Sequence, residues 1–418
     1  MSASVMVNNG QSKNQNQEEK VMFCVSAAEL KKALAIMKKG MDRKSSLPVL
    51  NGVHISLDKY GKLSLHRTNL EVNIVRTFMG RGHEVEPFDV VVEDANLFEK
   101  TVASFKKADV NGWIETEEYE ATSDTNASKK VKKQRQTLVL SDGKNEVRFN
   151  CVQEGPRDFP AFPDLPHTVF KIGVPDLRDA LALTLPFAAE DETRPLLHTV
   201  NFKFHDNKLH LAATDGYRLG WYRDVWVSET NAPLPFSVNL PVKTCRVLQE
   251  VLKDTVEVKG ALLTNHNWMF FRTDHYLIFS QLVDGNYPDY NTIIPKHHNT
   301  EVEVDAVEML QVVKAVEPMV KDSSDITVFT LVNNGTADED KFEVAPKEGT
   351  GNKSKWNLTG DVVGANLQIA FNAHYLKDAF AAFGKQRVRM EFNTPASPML
   401  VHVNDNAVHV LMPMHITR

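Results

Sequence analysis

Cysteine is almost missing from this chain: there are three in 418 residues, Cys24, Cys151 and Cys245, far apart and without a CxxC spacing. That excludes a disulfide framework and a paired-cysteine zinc site, and leaves three reduced, mostly buried thiols as the expectation. No run approaches the ~18 apolar residues needed to cross a bilayer, so no membrane span is expected. Positive charge is not in excess either: the formal charge is −6, which argues against a simple basic nucleic-acid-binding module. No GxSxG, Walker loop or HExxH occurs, so the common hydrolase, phosphate-binding and metalloprotease signatures are absent. The first twenty residues have neither the apolar stretch of a secretory signal nor the arginines of a transit peptide, and read as a disordered polar tail of a cytoplasmic protein.

What is present is a repeat. With 42% hydrophobic and 24% charged residues the chain is globular, and at this length it exceeds the ~250–300 residues at which single cores stop growing. "FCVSAAELKKAL" from Phe23, "FKIGVPDLRDAL" from Phe170 and "VEVDAVEMLQVV" from Val302 each pass from a short strand into a helix opened by an acid, Glu29, Asp176 or Glu308. The apolar residues that follow, Leu30, Leu177 and Met309, are 147 and 132 positions apart. A second series, "VVVEDANLFEKTV", "FSVNLPVKTCRVL" and "QIAFNAHYLKDAF", starts helices at Asp94, Pro241 and Asn372, 147 and 131 apart. Within each domain the two helical signals are 68, 68 and 67 positions apart, from Leu30 to Phe98, Leu177 to Cys245 and Met309 to Leu376. Six copies of one half-domain follow, each a strand, a helix and several antiparallel strands with period-two alternation, as in Val53, Ile55 and Leu57.

The expected class is therefore α+β with three tandem similar domains, at 21–165, 166–297 and 298–418. Two stretches interrupt the pattern. Residues 115–136 are polar, have no apolar period, and read as a mobile loop inserted in a hairpin, whose "KKVKKQR" at 129–135 is read as solvated. A similar insert occupies about 333–355.

Charge is sorted along the chain. Over the helical segments 27–44, 94–107, 174–189, 241–254, 305–322 and 372–387, Lys and Arg total 18 and Asp and Glu 13, on a protein whose net charge is negative. Basic helices on an acidic body are what a surface facing phosphates without reading sequence requires. In "HLAATDGYRLGWY", Leu209, Leu211 and Ala213 alternate ahead of Asp215-Gly216, and Tyr217, Leu219 and Trp221 after it, a turn between strands. Thr68 and Asn69 lie 146 positions before Thr214 and Asp215, close to the domain offset, so Asp215 reads as a turn residue rather than a catalytic acid.

Six half-domain repeats together with "ATDGYRLG" at 213–220, "LVDGNYPDY" at 282–290, "DETRPLL" at 191–197, "LPVLNGV" at 47–53 and "LMPM" at 411–414 resemble the bacterial DNA polymerase III beta subunit family, the sliding clamps, from about residue 21 onward. The resemblance implies the DNA clamp fold and a homodimeric ring, with twelve helices lining a hole around duplex DNA and sheets forming the outer wall. The implied partners are the polymerase III alpha subunit, the clamp loader, and other polymerases and repair proteins that bind through short peptides. Basic contributors to DNA contact would be Lys31, Lys32, Lys38, Lys39, Arg43, Lys44, Lys100, Arg178, Lys243, Arg246, Lys314 and Lys377. Arg43 and Lys44 precede "LPVL" where the family commonly has a DNA-contacting basic residue, and the spacing leaves open which of the two plays that role. By motif position the peptide groove would comprise Leu197, Thr214, Gly216, Tyr217, Arg218, Leu219, Pro241, Arg246, Val247, Ala396, Pro398, Val410, Met412, Pro413 and Met414. The chain departs from the pattern at His415, where Arg or Lys is common, at Tyr217, which replaces a frequent His, and in the residues Ile416, Thr417 and Arg418.

Two other classes compete. A hydrolase would pair Asp215 with His210, and the adjacent His297 and His298 would suggest a metal; isolated histidines are usually ordinary residues, so no catalysis, metal or cofactor is expected. A repeat scaffold that binds proteins without encircling DNA is the other.

Overall fold

A computed structural model describes residues 21–41, 44–79, 85–106, 108–123, 126–152, 158–160, 170–228, 235–263, 267–321, 325–335, 341–347 and 354–415, apart from the side chains of 121–132. The polar tail, Arg43 and the last three residues lie outside the described residues. The chain divides into two compact units, 1–166 with 270–280, and 167–269 with 281–418.

In the first unit the strand Phe23–Ser26 leads into helix α1, Ala27–Lys39, and the strand Phe88–Val92 leads to α2, Ala95–Ser104. Free amides at each start are capped as the sequence dictates. Ser26 Oγ accepts from the Glu29 amide at 3.5 Å, and Asp94 Oδ1 accepts from Asn96 and Leu97 at 2.9 and 3.0 Å. Leu30, Leu34 and Met37 form a buried stripe on α1, and Gly40 terminates the helix.

Antiparallel strands Val53–Leu57, Leu63–Thr68 and Val72–Phe78 follow one another, and Tyr276–Ser280, distant in sequence, pairs with the last of them from Arg76 to Val72. That pairing gives Val72–Phe78 a hydrogen-bonded neighbour on both edges. Arg76 is buried there, its guanidinium 4.5 Å from the Phe78 ring centre and 5.2 Å from that of Tyr276.

The polar stretch 115–136 is not a loop. Asp109–Ser123 and Asn126–Ser141 form one long antiparallel ribbon, which includes the basic residues 129–135. It escapes an apolar-period search because a ribbon without a core face needs no alternation. Its outer strands pair through backbone and opposite charge instead, with Glu117 opposite Arg135, and the Arg135 guanidinium sits 5.3 Å from the Tyr119 ring centre. At the base, Gly112 lies opposite Phe23, whose ring leaves no room for a Cβ.

The second unit holds the third repeat and most of the second, without 270–280. Its helices are α3, Val174–Thr184; α4, Val242–Val251; α5, Ala306–Val320; and α6, Ala373–Phe383. Asp305 and Asn372 cap α5 and α6 through their side chains, whereas Gly173 and Pro241 stand at the N-caps of α3 and α4 without a side-chain bond. The six equivalent positions Leu30, Phe98, Leu177, Cys245, Met309 and Leu376 are all at most 2% exposed. Each of the six half-domains thus seats its helix with one apolar residue at the same place. None of the three cysteines takes part in a disulfide; Cys24 is half-buried and the other two are buried.

The insert in the third repeat also contains structure. Lys341–Pro346 is a strand paired with Ile326–Val332 and Trp356–Leu358, and its Phe342 and Val344 are buried. The second and third repeats are joined by strands: Arg218–Ser228 pairs with Ala407–Leu411, from Arg218 opposite Leu411 to Tyr222 opposite Ala407.

Candidate protein-binding groove and basic helices

The turn at Thr214–Arg218 is built by its own side chains. Asp215 Oδ1 accepts from the Tyr217 and Arg218 amides at 2.8 and 3.0 Å, and Thr214 Oγ1 accepts from the Gly216 amide at 3.1 Å. Gly216 has φ +95°, a left-handed conformation that costs glycine little. The first repeat uses the same device: Asn69 Oδ1 accepts from Glu71 and Val72, Thr68 Oγ1 accepts from Leu70, and Leu70 has φ +76°. A turn repeated with its bonding pattern belongs to the architecture. His210 does not complete an acid–base pair with Asp215; its Nδ1 is buried without a hydrogen-bond partner, and burial lowers its pKa.

Arg218 ties this turn to the third repeat. Its Nε donates to Asp215 Oδ2 at 2.9 Å and its Nη1 to Asp378 Oδ2 of α6 at 2.8 Å, while the guanidinium lies 4.5 Å from the Tyr375 ring centre. Arg218 is 4% exposed, so two carboxylates and an aromatic face replace the water it has lost. Tyr217 stacks on Tyr375 with centroids 6.2 Å apart and stays exposed. Burial, followed by the nearby Asp215 carboxylate, raises the Tyr375 pKa. Arg194 donates to the Asp215 carbonyl at 2.8 Å, and the Thr214 amide donates to the Tyr287 hydroxyl at 3.0 Å, whose pKa burial also raises.

The terminal segment reaches the same place. The Met412 amide donates to the Tyr217 carbonyl at 2.9 Å and the Met414 amide to that of Ala370 at 2.8 Å, with the Met414 side chain on Ile326, Val328 and Ala370. Thr214, Gly216, Tyr217, Arg218, Leu219, Val410 and Met412 therefore meet at one seam. Leu219, Val247 and Val410 are almost fully covered, so they support the surface from beneath, whereas Tyr217 and Met412 are exposed on it. Leu197, Pro398, Pro413 and Met414 are half-buried, and Ala396 and Arg246 are exposed. Pro241 caps α4, which carries Arg246 and Val247. Arg194, Tyr287, Tyr375 and Asp378 belong to this constellation, and the sequence reading missed them. The aromatic–acid pair at three-residue spacing in α6 was the available signal.

The helices as folded are shorter than the segments counted from sequence and carry ten Lys or Arg against eight Asp or Glu. The positive surplus therefore shrinks, because Lys44, Lys106, Lys253, Lys321, Lys385 and Arg387 flank the helices instead of lying in them. Lys32, Lys39, Lys44, Lys100, Arg178, Arg246 and Lys314 are exposed, and Lys243 is half-buried. Local contacts also hold several of these side chains: Lys38 pairs with Glu99 at 3.0 Å, Lys31 donates to the Phe105 carbonyl at 2.5 Å, Arg178 lies 3.7 Å from Asp179, and Lys377 pairs with Glu317 of α5.

Tandem strand–helix–strand repeats, joined through a strand seam beside which Tyr217 and Met412 are exposed, define a clamp-type protein. Models of the DNA polymerase III beta subunit match its central domain at residues 175–289 and its C-terminal domain at 291–415, together more than half of the chain. The chain belongs to the DNA polymerase III beta subunit family. A beta sliding clamp from Bacillus subtilis is 23% identical over 406 residues, covering 94% of this chain and 99% of that one. Among solved structures, the DNA polymerase III beta subunit of Thermotoga maritima superposes with a TM-score of 0.77 at 20% identity, covering 94% and 99% of the two chains. A Pseudomonas aeruginosa sliding clamp bound to griselimycin gives 0.78 at 22% identity, covering 95% and 100%.

Proposed function

We propose that this chain is a DNA sliding clamp, a non-catalytic cytoplasmic processivity subunit. Two copies close head to tail, first domain against third, into a ring around duplex DNA; the domains run 21–165, 166–297 and 298–418. Heterologous contacts that close on themselves make a ring and not a filament. The observation that carries the reading is the family match across the second and third domains, extended along the whole chain by six equivalent buried helix positions.

Retention on DNA is then topological. Lys and Arg on the helices and their flanks attract phosphates without reading bases, so contacts exchange along the duplex and sliding meets little barrier. The polymerase III alpha subunit, the clamp loader and other polymerases and repair proteins dock short peptides in the groove beside Tyr217, Arg218 and Met412. Methionine there adapts to different apolar anchors. Light scattering at micromolar protein tests the assembly: a mass of two chains is expected, and a single-chain mass contradicts the closed dimer. The small positive surplus of the folded helices is the one observation favouring a second reading, a repeat scaffold that binds proteins without encircling DNA.

A further inference from the structure

Away from the groove, Glu301 and Glu391 stand directly opposite each other on the paired strands Thr300–Asp305 and Arg387–Phe392. Like charges in that position destabilise a sheet, and Glu391 is 8% exposed with the Arg389 cation at its Oε1, so a cation at Oε2 would offset the repulsion from Glu301. His298, just ahead of the first strand, lies between the two carboxylates. Its Nδ1 is 3.3 Å from Glu391 Oε2 and its Nε2 is 3.4 Å from Glu301 Oε2. One ligand atom from each of the three residues falls within 4.8 Å of the other two.

We propose that His298, Glu301 and Glu391 bind a divalent transition-metal ion, zinc fitting best, with water in the remaining position. Neighbouring donors on a tetrahedral zinc, at bond lengths of ~2.0–2.2 Å, are about 3.3–3.6 Å apart; one donor atom from each of the three side chains already lies within 4.8 Å of the others, so a turn of the His298 ring and of the Glu301 carboxylate closes the set. An imidazole nitrogen with only two carboxylates suits zinc better than magnesium or calcium, which take sets of oxygens. The two oxygens of Glu391 are already differentiated. Arg389 and His402 Nε2 hold Oε1 at 3.1 and 3.2 Å, which leaves Oε2 turned toward His298 and makes this carboxylate a one-oxygen ligand. Arg389 and His402 are thus positioning residues, of the kind that orient metal ligands from the outer shell. The exposed His298 ring turns to offer one nitrogen to an ion held by both carboxylates, and the ion staples the segment before the first strand to both strands. Adjacency of His297 and His298 in sequence is beside the point; the partner of His298 in sequence is Glu301, three residues on.

Untagged full-length protein titrated with Co2+ tests this by visible absorption, and with Zn2+ by calorimetry. One equivalent per chain is expected, with the intense absorption of four-coordinate cobalt and a raised thermal midpoint. His298→Ala and Glu301→Gln, both at accessible positions, are each expected to weaken binding at least ~10-fold, while His297→Ala retains it. Absence of binding overturns the proposal and leaves His298 as a contact between the two carboxylates. Equal loss in His297→Ala, or an unchanged affinity in His298→Ala, overturns it by moving the ion elsewhere.

Discussion

Arg218 is the residue on which the groove most depends, because it is buried and charged at once. Replacing Asp215 with Ala removes the acceptor of two turn amides and leaves the guanidinium with Asp378 alone. Breaking a buried pair from one side costs ~3–5 kcal/mol, so urea unfolding of Asp215→Ala is expected to show a loss of that order; a loss below about 1 kcal/mol contradicts the role given to the pair. The turn itself was legible, since Asp-Gly between alternating runs has few other readings. Asp378 and Tyr375 were not, because nothing in the sequence of α6 records which strand end it will face. A second residue, His409, is fully buried between the Phe187 and Phe383 rings, and burial lowers its pKa to about 3. Below the ordinary value of ~6.5 the unfolded chain takes up a proton that the folded chain refuses, so stability falls as pH drops from 6.5 toward 3. His409→Leu is expected to reduce the loss of stability between pH 7 and pH 5, read from denaturant midpoints; an unchanged pH profile contradicts it. His66, also lowered to about 3 chiefly by burial, acts in the same direction, so a residual slope remains in the variant.

Elements were more legible than their surroundings. All three helix starts read from the second series, Asp94, Pro241 and Asn372, are the observed N-caps; Asp94 and Asn372 mark their helices through local side-chain capping, and Pro241 does so without a cap bond. Asn372 accepts from the His374 and Tyr375 amides at 2.9 and 3.2 Å, so Asn372→Ala is expected to cost ~0.5–2 kcal/mol in equilibrium unfolding. It also loosens the first turn of the helix that carries Tyr375 and Asp378, so peptide affinity falls with stability. The ribbon at 109–141 was misread, because its distal strands are held by each other and by opposed charges and have no core face to imprint a period. In its distal part, from about 117 to 135, the two strands pair with each other in register, Glu117 opposite Arg135. Replacing that part with a two-residue Asn-Gly turn is therefore expected to leave the thermal midpoint within ~2 °C, whereas a drop of 10 °C would show that the ribbon supports the core.

At the scale of the molecule, spacing carried most of the information. Offsets near 147 and 132 place equivalent residues in equivalent cores, and a repeat is legible because each copy must solve the same packing problem. Long-range pairing was not legible: nothing local marks Tyr276–Ser280 as the neighbour of Val72–Arg76, or Ala407–Leu411 as that of Arg218–Tyr222. The charge count also changed with the helix ends, which shifted basic residues from helices to flanks. What the account claims for the whole molecule is that it is held on DNA by topology and not by affinity. The direct measurement loads the protein onto nicked circular DNA with its clamp loader and ATP, then linearises half of the sample and follows retention by gel filtration in moderate salt. The account predicts that protein stays with the circle and is lost from the linear form; equal retention on both, or none on either, would contradict it.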